Sequence, residues 1–120
     1  MSKYIDGFVI PVAKANIEQY REIAQKASEI WKEYGALDYY ETVGDDLETE
    51  GMLSFKTIAG ASDNETVIFS WIVYESREHR DQVNAAVMED ARIKEIIAHE
   101  PKPFDYDRMA YGGFKTLVTF

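Results

Sequence analysis

Apolar and polar residues alternate over four short segments of the chain, which predicts four β-strands. The predicted strands cover residues 4–12, 36–43, 66–74 and 114–120. The third strand is the most apolar, because Phe69 and Trp71 on one side are opposed by Ile68 and Ile72 on the other. Such a strand requires cover on both faces of its sheet.

From Asn16 onward the apolar residues recur at steps of three and four, which predicts a long amphipathic helix between the first two strands. Asn16 and Gln19 are placed to form a capping box at its start, and Gly35 is placed to end it in the left-handed conformation. Two shorter helices are predicted after the third strand, one beginning at Ser76 and the other at Asp90.

Residues 44–64 form a connection rich in glycine, serine and acidic residues. Within it, residues 52–58 alternate between apolar and polar types and predict a further short strand. We expect the connection to lie over the main sheet.

The order strand, helix, strand, strand, helix, strand predicts an α+β, ferredoxin-like βαββαβ fold with an antiparallel sheet, in a single domain over residues 1–120. Because the helices can cover only one face of this sheet, we expect a homodimer in which two sheets pack face to face as a dimeric α/β-barrel. The alternative is a monomer in which residues 44–64 fold back over the open face.

The amino-acid composition excludes several classes of protein and argues against several kinds of partner. The 46% hydrophobic content of the 120 residues is sufficient for a core and excludes intrinsic disorder. The 22 acidic and 13 basic residues give a net charge of -9, which argues against nucleic-acid or anionic-membrane partners. The absence of cysteine excludes thiol chemistry and Cys-type metal sites. No apolar run has the length of a membrane span, so we expect a soluble, cytoplasmic protein.

Five stretches, at residues 4–9, 32–37, 67–72, 87–92 and 104–114, together carry a resemblance that extends over nearly the whole chain. The most specific of them contains the run Arg-Met-x-Tyr-Gly-Gly-Phe at its end. In these stretches the chain resembles the YbaA-like bacterial family, domain of unknown function 1428. The resemblance implies a dimeric α/β-barrel of the ferredoxin-like kind, and it implies no reaction, cofactor or catalytic residue. The wider superfamily includes cofactor-free monooxygenases that place their substrates between the helices and the sheet.

Two acidic residues interrupt the apolar faces of predicted strands. Asp6 shares a face with Phe8, and Glu41 shares a face with Tyr39, so we expect at least one of them to be partly buried. A buried carboxylate requires hydrogen bonds or a cation, and Arg108 is the natural partner. The pair would serve as a substrate anchor or as a structural ion pair, and Asp6 and Glu41 are candidate catalytic bases.

His79 is a third candidate base, because it falls in the first turn of the helix that begins at Ser76. The alternative is an ordinary surface histidine. The acidic residues between Gly44 and Gly51 lack the spacing of a calcium loop, so we predict no metal site and no cofactor.

The aromatic residues are numerous enough to line a cavity for a flat ligand. Trp71, Tyr39 and Tyr111, together with Arg108, are the candidate ligand-binding residues, and core packing is the alternative for the aromatic side chains. The sequence therefore favours a homodimer that binds a small apolar or aromatic molecule or acts in an interaction. The alternative function is a cofactor-independent, monooxygenase-like or isomerase-like enzyme.

Overall fold

The computed structural model describes residues 2–120, and its strands form one four-stranded antiparallel sheet in the order β2-β3-β1-β4. The elements are β1 (Tyr4–Ala13), α1 (Ile17–Glu33), β2 (Asp38–Val43), α2 (Phe55–Ala59), β3 (Glu65–Tyr74), α3 (Arg77–Glu89), α4 (Ala91–Ala98) and β4 (Ala110–Lys115). This order confirms the predicted ferredoxin-like α+β arrangement. Along residues 2–120, no helix combines the length and the apolar character needed to cross a membrane.

Helices α1, α3 and α4 lie on one face of the sheet and enclose the core. The inward positions of β1 and β3 meet small and branched residues of the helices, so the apolar stripes predicted from the sequence face the sheet. The buried apolar residues include Ile10, Val12, Ile68, Ile72, Tyr74, Tyr20, Ala24, Ala27, Ile30, Val83, Val87 and Ile93.

The start of α1 differs from the predicted capping box. The side chain of Asn16 accepts no capping hydrogen bond and instead donates from Nδ2 to the carbonyl of Pro103 at 3.1 Å. Gln19 donates from Nε2 to the carbonyl of Pro101 at 2.7 Å. These two amides therefore attach the loop before β4 to the first turn of α1. The predicted end of the helix is confirmed, because Gly35 has a φ of 108°.

The predicted short strand over residues 52–58 is wrong, because this part of the connection forms α2. Ser54 caps the helix by accepting a hydrogen bond from the amide of Lys56 at 3.0 Å, and Gly60 ends it with a φ of 66°. Helix α2 lies against β1 and β3 on the face opposite to α1, where the ring of Phe55 is 5.7 Å from the ring of Phe69.

The last strand begins and ends earlier than predicted. Strand β4 pairs with β1 from Val9 opposite Ala110 to Tyr4 opposite Lys115, so β1 offers no further partner to the residues that follow. The Thr116 amide and hydroxyl both donate to the carbonyl of Lys3, and residues 117–120 leave the sheet with their apolar side chains exposed.

Aromatic side chains occupy much of the sheet face opposite to α1. Helix α2 covers only one end of this face. Tyr40 stacks on Trp71, with ring centroids 4.9 Å apart, and the rings of Phe69 and Trp71 are 5.5 Å apart. On the other side of β1, the ring of Phe114 passes over Gly7, where an added Cβ would lie 3.2 Å from it. We call this surface, formed by Tyr40, Phe69, Trp71 and Phe114, the open face.

Candidate functional site

A cavity of about 490 Å³ lies between the sheet and the helices that cover it. Its volume falls in the range of small-molecule sites in proteins. The walls come from inward positions of β1, β2 and β3, from α1, α3 and α4, and from the loop before β4. Apolar and aromatic side chains form most of the lining, including Phe8, Ile23, Ala24, Ala27, Trp31, Ile72, Met88, Ile96, Phe104 and Met109.

Glu41 is the central polar group on the β2 side of the cavity. Its Oε1 accepts a hydrogen bond from the Tyr20 hydroxyl at 2.7 Å, and its Oε2 accepts one from the Tyr39 hydroxyl at 2.7 Å. Tyr39 shares a face of β2 with Glu41, and Tyr20 reaches the carboxylate from α1. The carboxylate is thus held from two elements, while its remaining lone pairs stay available to a further donor.

Both tyrosines are fixed as hydrogen-bond donors by their surroundings. Burial raises the pKa of Tyr20 and of Tyr39 well above the usual range of a phenol, and the negative charge of Glu41 raises both further. The two hydroxyls therefore stay protonated at physiological pH and donate to Glu41 rather than compete with it for a proton.

Asp6 forms the second polar group of the cavity, on β1, with only 1% of its surface exposed. Its Oδ1 accepts a hydrogen bond from Nη1 of Arg80 at 2.6 Å, and its Oδ2 accepts one from Nδ2 of Asn84 at 3.3 Å. Nη1 of Arg80 also donates to the Tyr111 hydroxyl at 2.7 Å. Asp6 is therefore a charge-neutralised carboxylate with a hydrogen bond on each oxygen, and through Arg80 it joins β1 to α3 and β4.

Asn84 links Asp6 to a third polar contact at the edge of the core. Its Oδ1 accepts hydrogen bonds from Nε1 of Trp31 and from the Tyr74 hydroxyl, each at 3.1 Å. Burial raises the pKa of Tyr74, so its hydroxyl also remains a donor. Every buried side-chain nitrogen or oxygen described in the structure has a hydrogen-bond partner, so this network is fully satisfied.

Four of the residues singled out from the sequence line the cavity, and three do not. Asp6, Tyr39, Glu41 and Tyr111 lie in its walls. Trp71 lies on the open face, because it alternates with the inward residue Ile72.

His79 lies outside the cavity lining, at the start of α3. Its Nδ1 accepts a hydrogen bond from the amide of Glu75 at 3.0 Å, and its own amide donates to the Ser76 hydroxyl at 3.1 Å. The ring of His79 packs edge-on against Tyr74, with centroids 5.9 Å apart. In this position the imidazole holds the turn between β3 and α3.

The expected pair of Arg108 with Asp6 or Glu41 does not form. Arg108 lies near the opposite end of β1, where it donates to the Glu65 carboxylate at 2.8 and 2.9 Å and to the carbonyl of Gly60 at 2.7 Å. Asp6 lies several residues along β1 from that end and is instead paired with Arg80. Arg108 thus joins the loop before β4 to the start of β3.

The pair of Glu65 with Arg108 predicts a pH-dependent contribution to stability. The hydrogen bonds from Arg108, followed by the one from the Ser62 amide, lower the pKa of Glu65 from 4.5 to about 2. Because the pKa is lower in the folded state, the contribution is present above pH 4.5 and is lost as the pH falls towards 2. We expect Glu65→Gln to lower the free energy of unfolding at pH 7 by about 1 kcal/mol, since Arg108 is partly exposed.

Urea unfolding of both proteins between pH 2 and pH 7 measures this difference. The difference from wild type should shrink as the pH falls below 4.5, and the exposed acid Glu48, replaced in Glu48→Gln, provides the matched control. A difference that is constant over this pH range would contradict the assignment.

Three residues of the polar network were missed by the sequence-based prediction. Tyr20 was assigned only to the apolar stripe of α1, and Arg80 and Asn84 were assigned no role. Arg80, Asn84 and Met88 are spaced by four residues and share one face of α3. A charged and a polar residue on the same helix face as an apolar methionine form the pattern that could have identified Arg80 and Asn84.

Comparison with known proteins gives the family and the fold. The model of the family described as "Protein of unknown function (DUF1428)" matches residues 3–106. An uncharacterized protein of Escherichia coli K12, YbaA, is 43% identical over 116 residues, covering 97% of each chain. The Shigella flexneri YbaA protein matches at the same identity and coverage.

Two solved structures share the fold at low sequence identity. A dimeric ferredoxin-like protein from an uncultured marine organism matches with a TM-score of 0.59 and 13% identity, covering 100% of this chain and 98% of that one. A nipsnap family protein of unknown function from Agrobacterium tumefaciens matches with a TM-score of 0.58 and 14% identity, covering 95% and 87%.

Proposed function

Since the chain belongs to the DUF1428 family of unknown function, we propose from its own geometry that it is a homodimer that binds a small apolar or aromatic molecule between its sheet and its helices. The observation that carries this proposal is the Glu41 carboxylate, held by Tyr20 and Tyr39 inside an apolar cavity of about 490 Å³. A few fixed polar groups in an otherwise apolar wall are typical of small-molecule sites.

The loop before β4 supports the same proposal, because it completes the wall of the cavity. Phe104 packs against Tyr20, with ring centroids 5.7 Å apart, and against Tyr106 at 4.7 Å. The bonds from Asn16 and Gln19 to this loop keep both rings over the cavity. The site is thus built from segments that are distant in sequence and joined by hydrogen bonds.

The open face supports a homodimer. Phe69 and Phe114 are 45% and 61% exposed there, although α2 covers the far end of the sheet. A second copy is the occupant that we propose, because the structurally similar marine protein is described as dimeric and an apolar face that packs on itself satisfies two-fold symmetry. In this arrangement the cavity lies on the other face of each sheet, so that each protomer keeps its own site.

The relatives are themselves of unknown function, and the comparisons add no support to the alternative of a cofactor-independent enzyme. The cytoplasmic location expected from the sequence stays a prediction.

Filling the cavity tests the binding proposal. Ala24 lines the cavity from α1, and we expect Ala24→Phe to weaken binding of the neutral aromatic dye N-phenyl-1-naphthylamine about tenfold, which corresponds to about 1.4 kcal/mol. The dye fluoresces strongly in an apolar site, so a fluorescence titration gives the dissociation constant directly.

The control is Ala85→Phe, which adds the same ring at an exposed position of α3 and should leave the affinity unchanged. Equal binding by Ala24→Phe and the wild type would place the dye elsewhere and overturn the proposal.

A further inference from the structure

We propose that the molecule bound in the cavity is an apolar or aromatic amine in its protonated form, with Glu41 as the anchor of the ammonium group. The proposal rests on the binding function proposed above and specifies the chemical class of the ligand. Three features of the cavity carry it: the sign of its charge, the partners of Glu41 and the nature of its walls.

The charged residues of the lining have one sign. Asp6 and Glu41 are both acidic, and no lysine, arginine or histidine of residues 2–120 lines the cavity. A carboxylate or phosphate ligand would meet the like charge of Glu41 in an apolar environment, and the cation that contacts the lining, Arg80, is already paired with Asp6. The cavity therefore selects against anions.

The two acids differ in their partners. Asp6 is paired with Arg80 at 2.6 Å, so its charge is compensated within the fold. Glu41 has only the hydroxyls of Tyr20 and Tyr39, and no cationic side chain described in the structure lies at ion-pairing distance from it. Each Glu41 oxygen uses one lone pair on a tyrosine and keeps another for a further donor. A partly buried carboxylate that lacks a cation is completed by a ligand that brings one.

The walls around Glu41 fit the rest of such a ligand. Tyr20 and Tyr39 contact the carboxylate through their hydroxyls, and the Trp31 ring lies 6.2 Å from the Tyr39 ring. The Phe104 ring lies 5.7 Å from the Tyr20 ring. Aromatic faces attract an ammonium group, and the isoleucines behind them accept a hydrocarbon or aromatic body. A negative anchor within an aromatic wall is the arrangement that favours a protonated amine over a neutral molecule of equal shape.

Matched ligands that differ only in their polar group test the inference. The series carries phenyl, indole and naphthalene rings, each on a two-carbon chain that ends in an ammonium, a hydroxyl or a carboxylate. Isothermal titration at pH 7 gives each dissociation constant. We expect the ammonium form to bind about tenfold more tightly than the alcohol, as one extra charge-assisted hydrogen bond would give, and the carboxylate to bind most weakly.

Glu41→Gln removes the charge and keeps the shape of the side chain. We expect it to bring the ratio of alcohol to ammonium dissociation constants close to one. Glu48→Gln changes the net charge of the protein equally at an exposed position and should leave the ratio unchanged.

The outcomes separate this inference from the binding function on which it rests. Equal binding of ammonium and alcohol by the wild-type protein would overturn the amine assignment and leave the apolar site intact. No binding of any member at millimolar concentration would overturn both. The ratio in the wild type decides the question even if Glu41→Gln fails to fold.

Discussion

Replacing Asp6 with alanine is expected to lower the free energy of unfolding by about 3–5 kcal/mol, because it leaves the largely buried Arg80 guanidinium with only the exposed Asp81 carboxylate as a counter-charge. The Asp6 carboxylate is 1% exposed and the Arg80 side chain is 12% exposed, so water cannot replace the lost partner. Asn84 loses an acceptor in the same change. Urea unfolding at pH 7, followed by circular dichroism, measures the difference.

The chain offers a matched control on the same arginine. Arg80 also pairs with Asp81 at 2.8 Å, but the Asp81 side chain is 61% exposed. Asp81→Ala should therefore cost less than about 1 kcal/mol. The double change Asp6→Leu with Arg80→Met removes both buried charges and should recover much of the stability lost in Asp6→Ala. An effect of Asp6→Ala as small as that of Asp81→Ala would contradict a buried ion pair.

Introducing a charge at Trp71 is expected to convert the proposed dimer into a monomer. Trp71 lies on the open face between Tyr40 and Phe69, and a glutamate there would have to be desolvated within the proposed interface. The cavity lies on the other face of the sheet, so the monomer should remain folded and should still bind N-phenyl-1-naphthylamine.

Native mass spectrometry and sedimentation velocity report the mass of the wild type and of Trp71→Glu. The control is Gln82→Glu, which adds the same charge at an exposed position of α3. A dimer that survives Trp71→Glu would place the interface elsewhere. A wild-type protein that is monomeric at all concentrations would overturn the dimer itself.

The alternation of side chains along strands made part of the site predictable. Because alternate residues of a strand share a face, Glu41 and Tyr39 could be placed together, and Asp6 could be recognised as an acid on an apolar face. The same rule places Trp71 and Ile72 on opposite faces of the sheet, but it does not predict which of these faces the helices cover.

The hydrogen-bond partners of Asp6 and Glu41 could not be predicted from the sequence, because they depend on how the helices pack on the sheet. Tyr20 contacts Glu41 because α1 packs against β2. Arg80 contacts Asp6 because α3 packs against β3 and the arginine side chain reaches the neighbouring strand β1. Arg108 was an attractive partner for either acid by charge alone. The register of β4 on β1 places it at the wrong end of the strand.

The errors in secondary structure have local causes. Residues 52–58 alternate like a strand, yet Ser54 and Gly60 are the cap and the stop of a single helical turn. The predicted last strand lies too far towards the C-terminus, because the extent of β4 is set by its pairing with β1. Strand β1 begins at Tyr4, which pairs with Lys115, so no later residue has a partner in β1.

The glycines under the Phe114 ring set a steric limit on which substitutions the protein can accept. Gly7 and Gly112 face each other across β1 and β4, and neither has a positive φ. The backbone therefore excludes a side chain at neither position. An added Cβ at Gly112 would be in ordinary contact with the Phe114 ring, 3.6 Å away, whereas one at Gly7 would lie 3.2 Å from it and would push the ring outward by a few tenths of an ångström. Intolerance of Gly7→Ala would thus report the flatness that association through the open face needs.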